Sequence, residues 1–111
     1  MIHATIRMKL PGQKAKEAME ILRSVAERTR VEPGCISCRI YRDDQEEHAI
    51  LIEEFWRGQK ELERHLRSAE YRNVLLVVEM SKKEPEVKFH EIVGSSGLET
   101  IEKAISTAKA G

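Results

Sequence analysis

The chain has 111 residues, 41% of them apolar, and its 19 Lys and Arg balance its 19 Asp and Glu. That length supports one compact domain, and the composition excludes a disordered chain, which combines low hydrophobicity with a large net charge. Zero net charge removes the electrostatic footprint of a nucleic-acid binder, and no apolar run approaches the roughly 18–20 residues of a membrane span. The N-terminus alternates apolar and polar residues and lacks the apolar stretch of a signal peptide, so the expected compartment is the cytoplasm.

Ile2, Ala4, Ile6, Met8 and Leu10 fall on one face of a strand, and His3, Thr5, Arg7 and Lys9 fall on the other. That is a period of two, and Pro11-Gly12 ends it. From Gln13 the spacing turns helical. Ala15, Ala18, Met19, Leu22, Val25, Ala26 and Thr29 form a stripe, and the mixed charges between Lys14 and Arg30 form a solvated face. Pro33-Gly34 stops the helix. Cys35–Asp43 predicts a second strand and His48–Trp56 a third, joined by a short polar turn as an antiparallel hairpin. Ile50, Leu51 and Ile52 are apolar on both faces, the pattern of a central strand. After Gly58 come a short helix over Lys60–Leu66 and another from Glu70 to about Ser81. Tyr71, Val74, Leu75 and Val78 supply the buried stripe of the latter. Glu86–Ile92 predicts a fourth strand with Pro85 near its start. Gly94–Gly97 is a flexible linker, after which Leu98, Ile101, Ala104, Ile105 and Ala108 recur at helical spacing. A helix of about 12 residues is marginal alone in water, so this one is expected on its own domain or on a second subunit.

The order strand, helix, strand, strand, helix, strand is the ferredoxin-like α+β arrangement, one four-stranded antiparallel sheet with helices on one side. Residues 1–93 form that domain, and residues 94–111 form the linker and the amphipathic tail helix. A strand apolar on both faces cannot leave its second face to water. The chain has no further layer to cover it, so a second copy is the expected cover, in a homodimer with facing sheets.

Few residues are left to carry chemistry. Cys35 and Cys38 match a C-x-x-C spacing, but on a strand their opposite parity points the thiols to opposite faces, and no second pair completes a zinc site. The four His show no i, i+4 metal spacing, so no metal is expected. His3 and His90 lie on polar strand faces, and His48 lies near a turn. Glu54-Phe55-Trp56, followed nine residues later by His65, is the most informative stretch. An indole offers a stacking wall with one N–H donor, and an imidazole titrates near neutrality. Together they suit a planar aromatic ligand and a proton transfer. The residues taken alone favour the plainer reading, with Trp56 as a core anchor and His65 as a helix-end residue suited to the dipole. Arg39 and Tyr41 share a strand face with Ser37, and Arg7 lies on the polar face of the first strand. These are candidate anchors for a hydroxyl or carbonyl, or members of a cross-strand polar ladder.

Glu32-Pro33-Gly34-Cys35, Tyr41-Arg42-Asp43, Ile52-Glu53-Glu54-Phe55-Trp56 and His65-Leu66-Arg67-Ser68 before Tyr71 together resemble the antibiotic biosynthesis monooxygenase domain family. The likeness is to its small quinol monooxygenase-like members and covers about residues 2–92. It implies a dimeric α+β barrel. For enzymatic members it implies oxidation of a small aromatic (a quinol, phenol or anthrone) by O2 without metal, flavin or haem. An electron-rich phenolate reduces O2 itself, so the protein needs only to bind it, remove a proton and exclude water. On this resemblance His65 is the general base or hydrogen-bond partner, and Trp56 the stacking and orienting group. Glu54 is a matching binding position, with Tyr41, Arg39 and Tyr71 as further substrate contacts. The haem-degrading branch does not match: its Asn, Trp and His positions fall near Thr5, His65 and Leu75. The alternatives are a non-catalytic dimeric small-molecule-binding module and a purely structural dimerisation domain, whose cavity would be filled.

Overall fold

Strict alternation over the first residues produces strand β1, Ile2–Lys9, in the computed structural model, which describes residues 1–81 and 83–110. Ile2, Ala4, Ile6 and Met8 are buried, and the residues between them stay partly open. Pro11 and Gly12 break the strand into a single 3-10 turn, Gly12–Lys14, which feeds helix α1, Ala15–Arg30. The buried face of α1 is Ala18, Met19, Leu22, Val25, Ala26 and Thr29, and Arg28 and Arg30 suit the negative end of its dipole. Gly34 then adopts φ 87°, and a Cβ there would collide with the Glu61 side chain. Only glycine lets the chain turn this tightly against the next helix.

The hairpin follows as β2, Cys35–Arg42, and β3, Ala49–Trp56. Its turn is held by Arg7, whose guanidinium donates to Asp43 and Glu46 at 2.9 Å each. Helices α2, Gln59–Leu66, and α3, Ala69–Met80, come next. Ser68 caps α3, its hydroxyl accepting the Tyr71 N–H at 3.2 Å. Strand β4, Glu86–Glu91, and helix α4, Leu98–Ala110, complete the chain.

The sheet order is β2-β3-β1-β4, every neighbouring pair antiparallel, which is the ferredoxin-like topology. Alternation along each strand places Ile6, Met8, Cys38, Ile50 and Ile52 in one core with Leu22 and Val25 of α1 and Val74 and Val77 of α3. The expected stripe on α3 is displaced. Val77 is fully buried, whereas Leu75 is 46% exposed. Positions 74 and 77 straddle the inward direction, and residue 75 lies about 100° round the helix from 74.

β3 is central, as its apolar run predicts, but within one chain only its helix side is covered. The other face carries Leu51 and Phe55, both half-buried, with His3 stacked on Phe55 at 4.6 Å and hydrogen-bonded to Glu53 at 2.9 Å. The helix layer also stops short of β4. Val87 and Phe89 register opposite Ile6 and Ala4 and share their face, yet they are 44% and 47% exposed. Helix α4 is exposed along residues 98–108. The chain extends 55 × 34 × 21 Å with a radius of gyration of 17.1 Å, against about 13 Å for a compact chain of this length. No helix among the described residues is long and apolar enough to cross a membrane.

Candidate functional site

Glu54 and Trp56 lie two residues apart at the end of β3, so both side chains point under the helices. In α2, Leu62 and His65 are three apart and both buried, so this short helix turns His65 onto the same end of the sheet. The α1–β2 corner brings Glu32 there from the other side.

These residues form one connected cluster. The Trp56 indole N–H donates to Glu54 Oε1 at 2.9 Å. His65 Nδ1 meets Glu32 Oε2 at 2.7 Å, and its Nε2 faces Glu54 Oε2 at 3.4 Å. The latter contact is longer than a well-formed hydrogen bond, so Glu32 holds the ring more tightly. The Trp56 and His65 rings lie 4.7 Å apart, and Tyr71 meets His65 edge-on at 5.4 Å. The His65 side chain is 0% exposed, Glu54 8% and Glu32 22%, so solvent reaches the cluster at the Glu32 end.

Burial by itself pushes the His65 pKa down. The carboxylates of Glu54 and Glu32 more than offset it, and His65 titrates above its ordinary 6.5. Both ring nitrogens face carboxylate oxygens, which favours imidazolium: Nδ1 hydrogen-bonds Glu32, while Nε2 faces Glu54 without a hydrogen-bond partner. It also ties stability to pH. The contribution of His65 is full below pH 6.5 and is lost as pH rises through the raised folded value. Within that window the unfolding free energy of the native chain should fall with rising pH relative to His65→Gln. Parallel pH profiles of urea denaturation for the two chains would refute this.

The cysteines correct the parity expectation. The β2–β3 register shifts between Cys35 and Ser37: Cys35 pairs with Trp56 and Cys38 with Glu54. Ile36 is the extra residue of a β-bulge and is 51% exposed. The bulge returns both thiols to the helix side, where Cys38 Sγ donates to Glu54 Oε2 at 3.9 Å. Burial, then the Glu54 charge, pushes Cys35 up to about 11 and Cys38 up to about 12. Both stay protonated and are poor nucleophiles.

Of the residues singled out from the sequence, the fold brings Glu54, Trp56, His65 and Tyr71 together. It does not bring Arg39 and Tyr41 to them. These two pair with Glu53 and Leu51 on the opposite, uncovered face of the sheet, and both are exposed. Glu32 entered the sequence reading only as part of the Glu32-Pro33-Gly34-Cys35 stretch. It lies 33 residues from His65, and only its place at a strand entrance on the Trp56 end hinted at a role. A cavity of about 460 Å³ lies at the other end of the sheet between Leu10, Met19, Arg23, Arg42, His48 and Ile50. His48 holds a positive φ of 64° there while its carbonyl accepts the Leu10 N–H at 2.8 Å. No group of three or more His, Cys, Asp or Glu among the described residues is placed to hold a metal ion.

The fold and cluster define a ferredoxin-like α+β domain with a buried acid–imidazole–indole group on its sheet. The chain belongs to the antibiotic biosynthesis monooxygenase family, whose sequence profile matches residues 1–75. A solved structure of a candidate antibiotic biosynthesis monooxygenase from Deinococcus radiodurans superposes with a TM-score of 0.81. It is 17% identical, with 88% of this chain and 98% of that one covered. A conserved protein from Methanosarcina mazei superposes with a TM-score of 0.76 at 25% identity, covering 81% and 90%. An uncharacterised protein of Synechocystis sp. is 28% identical over 92 residues, which is 82% of this chain and 63% of that protein. The chain thus spans less than two thirds of that curated relative.

Proposed function

We propose that the protein is a monooxygenase that oxidises a small electron-rich aromatic, a quinol, phenol or anthrone-like compound, with O2 and no added cofactor. The observation that carries this reading is the buried line Glu32–His65–Glu54 ending on the Trp56 indole. The carboxylates on either side raise the pKa of His65 and so favour its protonated form, a poor first acceptor. Glu54, beside His65 and the Trp56 N–H, takes the substrate proton, and His65 and the partly open Glu32 connect it to solvent. Trp56 supplies the flat wall. For an anthrone-like substrate a CH2 becomes C=O. One atom of O2 enters the carbonyl, the other leaves as water with the two hydrogens, and carbon gives up four electrons.

The working unit in this reading is a homodimer with the uncovered sheet faces together, supported by the half-buried Leu51, Phe55 and His3 on that face. Arg39 and Tyr41 then belong to the interface. The cytoplasm suits the two free thiols.

One observation favours the second reading, a binding module without turnover. His65 and Trp56 are fully enclosed, and the 460 Å³ cavity lies elsewhere, so a ligand reaches Glu54 only if the α2–α3 corner moves. Oxygen uptake by metal-free, flavin-free protein with reduced quinols and anthrone-like phenols separates the two. Uptake above autoxidation, cut at least tenfold in Glu54→Gln and less in Glu32→Gln, is expected. Ligands that raise the melting temperature without uptake establish the module instead.

A further inference from the structure

Helix α4 is marginal as it stands. It has 13 residues, near the length at which an isolated helix is marginal in water. Its apolar stripe is open to solvent: Leu98, Ile101 and Ile105 are 68%, 58% and 52% exposed. The same chain carries an apolar strip with no cover. Val87 and Phe89 on β4 face the helix side at 44% and 47% exposure, because the helix layer ends over β1. In the structure α4 stands clear of its own strip.

We propose that α4 is an exchange arm: its Leu98–Ile101–Ile105 stripe docks on the Val87–Phe89 strip of a second copy of this chain. The proposal rests on the dimer of the preceding reading for that second copy. Arm and strip belong to the same chain, so each copy offers one of each and two dockings close under twofold symmetry. The chain's zero net charge opposes no pairing of copies. Area sets the arm's share. Five half-open side chains at roughly 90 Å² each bury about 450 Å² per docking, or about 900 Å² for two, short of the roughly 1,200 Å² of a stable interface. The arms therefore add to the facing sheets and do not replace them.

The test uses the full chain. Ile101→Cys and Phe89→Cys are made on separate chains of different mass tag, mixed and oxidised. The native thiols, Cys35 half-buried and Cys38 buried, stay protonated and compete poorly. A disulfide joining the two tags is expected. Ile101→Glu with Ile105→Glu should weaken the dimer at least tenfold by sedimentation while leaving the unfolding of the body unchanged. A crosslink within one chain of the double-cysteine variant, with none between tags, overturns the proposal in favour of an arm folded back on its own body. A dimer of undiminished affinity in the glutamate variant overturns it while sparing the facing sheets. A native chain that stays monomeric at high concentration overturns both readings.

Discussion

Replacing His65 by alanine should cost about 3–5 kcal/mol of stability, more than the removal of a surface histidine by severalfold. Its side chain is 0% exposed and stands between Glu32 and Glu54. Alanine leaves those two carboxylates with no cation between them and opens a cavity beside Trp56. The loss comes mainly from stranded charge, so it should be partly recovered when Glu54 is also made leucine, which removes the carboxylate and fills the space. Urea denaturation of the native, single and double variants measures this as a coupling energy. A single variant within 1 kcal/mol of native, or a double variant no better than the single one, would show that the cluster is not held by its charges.

Trp56 separates packing from hydrogen bonding at the same place. It is 0% exposed and anchors a small cluster of Ile2, Ala4 and Leu62, and its N–H satisfies Glu54 Oε1 at 2.9 Å. Trp56→Ala should cost about 3–5 kcal/mol through the lost core volume. Trp56→Phe keeps most of the ring but leaves a buried carboxylate oxygen without its donor, at a cost of about 1–3 kcal/mol. Circular dichroism must follow both, because Trp56 is the only tryptophan. Equal losses in the two variants would mean that the donor, and not the volume, dominates. In the uptake assay Trp56→Phe should retain the stacking wall and lose orientation, so activity falls further than stability does.

Much of this was legible along the chain because it depends on neighbours in sequence. The period-two run from Ile2 to Leu10, the helical stripe of α1 and the breaks at Pro11-Gly12 and Pro33-Gly34 each report a local preference, and all reappear as elements. The Glu54–Trp56 relation was also readable, since residues two apart on a strand share a face.

The readings that failed depended on an interruption or on a distant partner. Strand parity sent Cys35 and Cys38 to opposite faces, but one inserted residue at Ile36 reversed it. Helical spacing put Leu75 in the core, but the rotation of α3 chose Val77. Alternation grouped Arg39 and Tyr41 on one face without saying which face the helices cover, and the fold puts them away from His65, on the uncovered side.

By itself, then, the sequence determined the order of elements, the two-layer α+β architecture and the membership of Glu54, Trp56 and His65 in one stretch. Periodicity and turn chemistry act within a few residues and need no tertiary information. Only the tertiary structure decided that Glu32, 33 residues away, closes on His65. It alone decided that the bulge puts both thiols beside Glu54, and that β4 and α4 are left with apolar surface unpaired. Those outcomes come from how layers dock and where the helix layer ends, and long-range packing, not local preference, settles both.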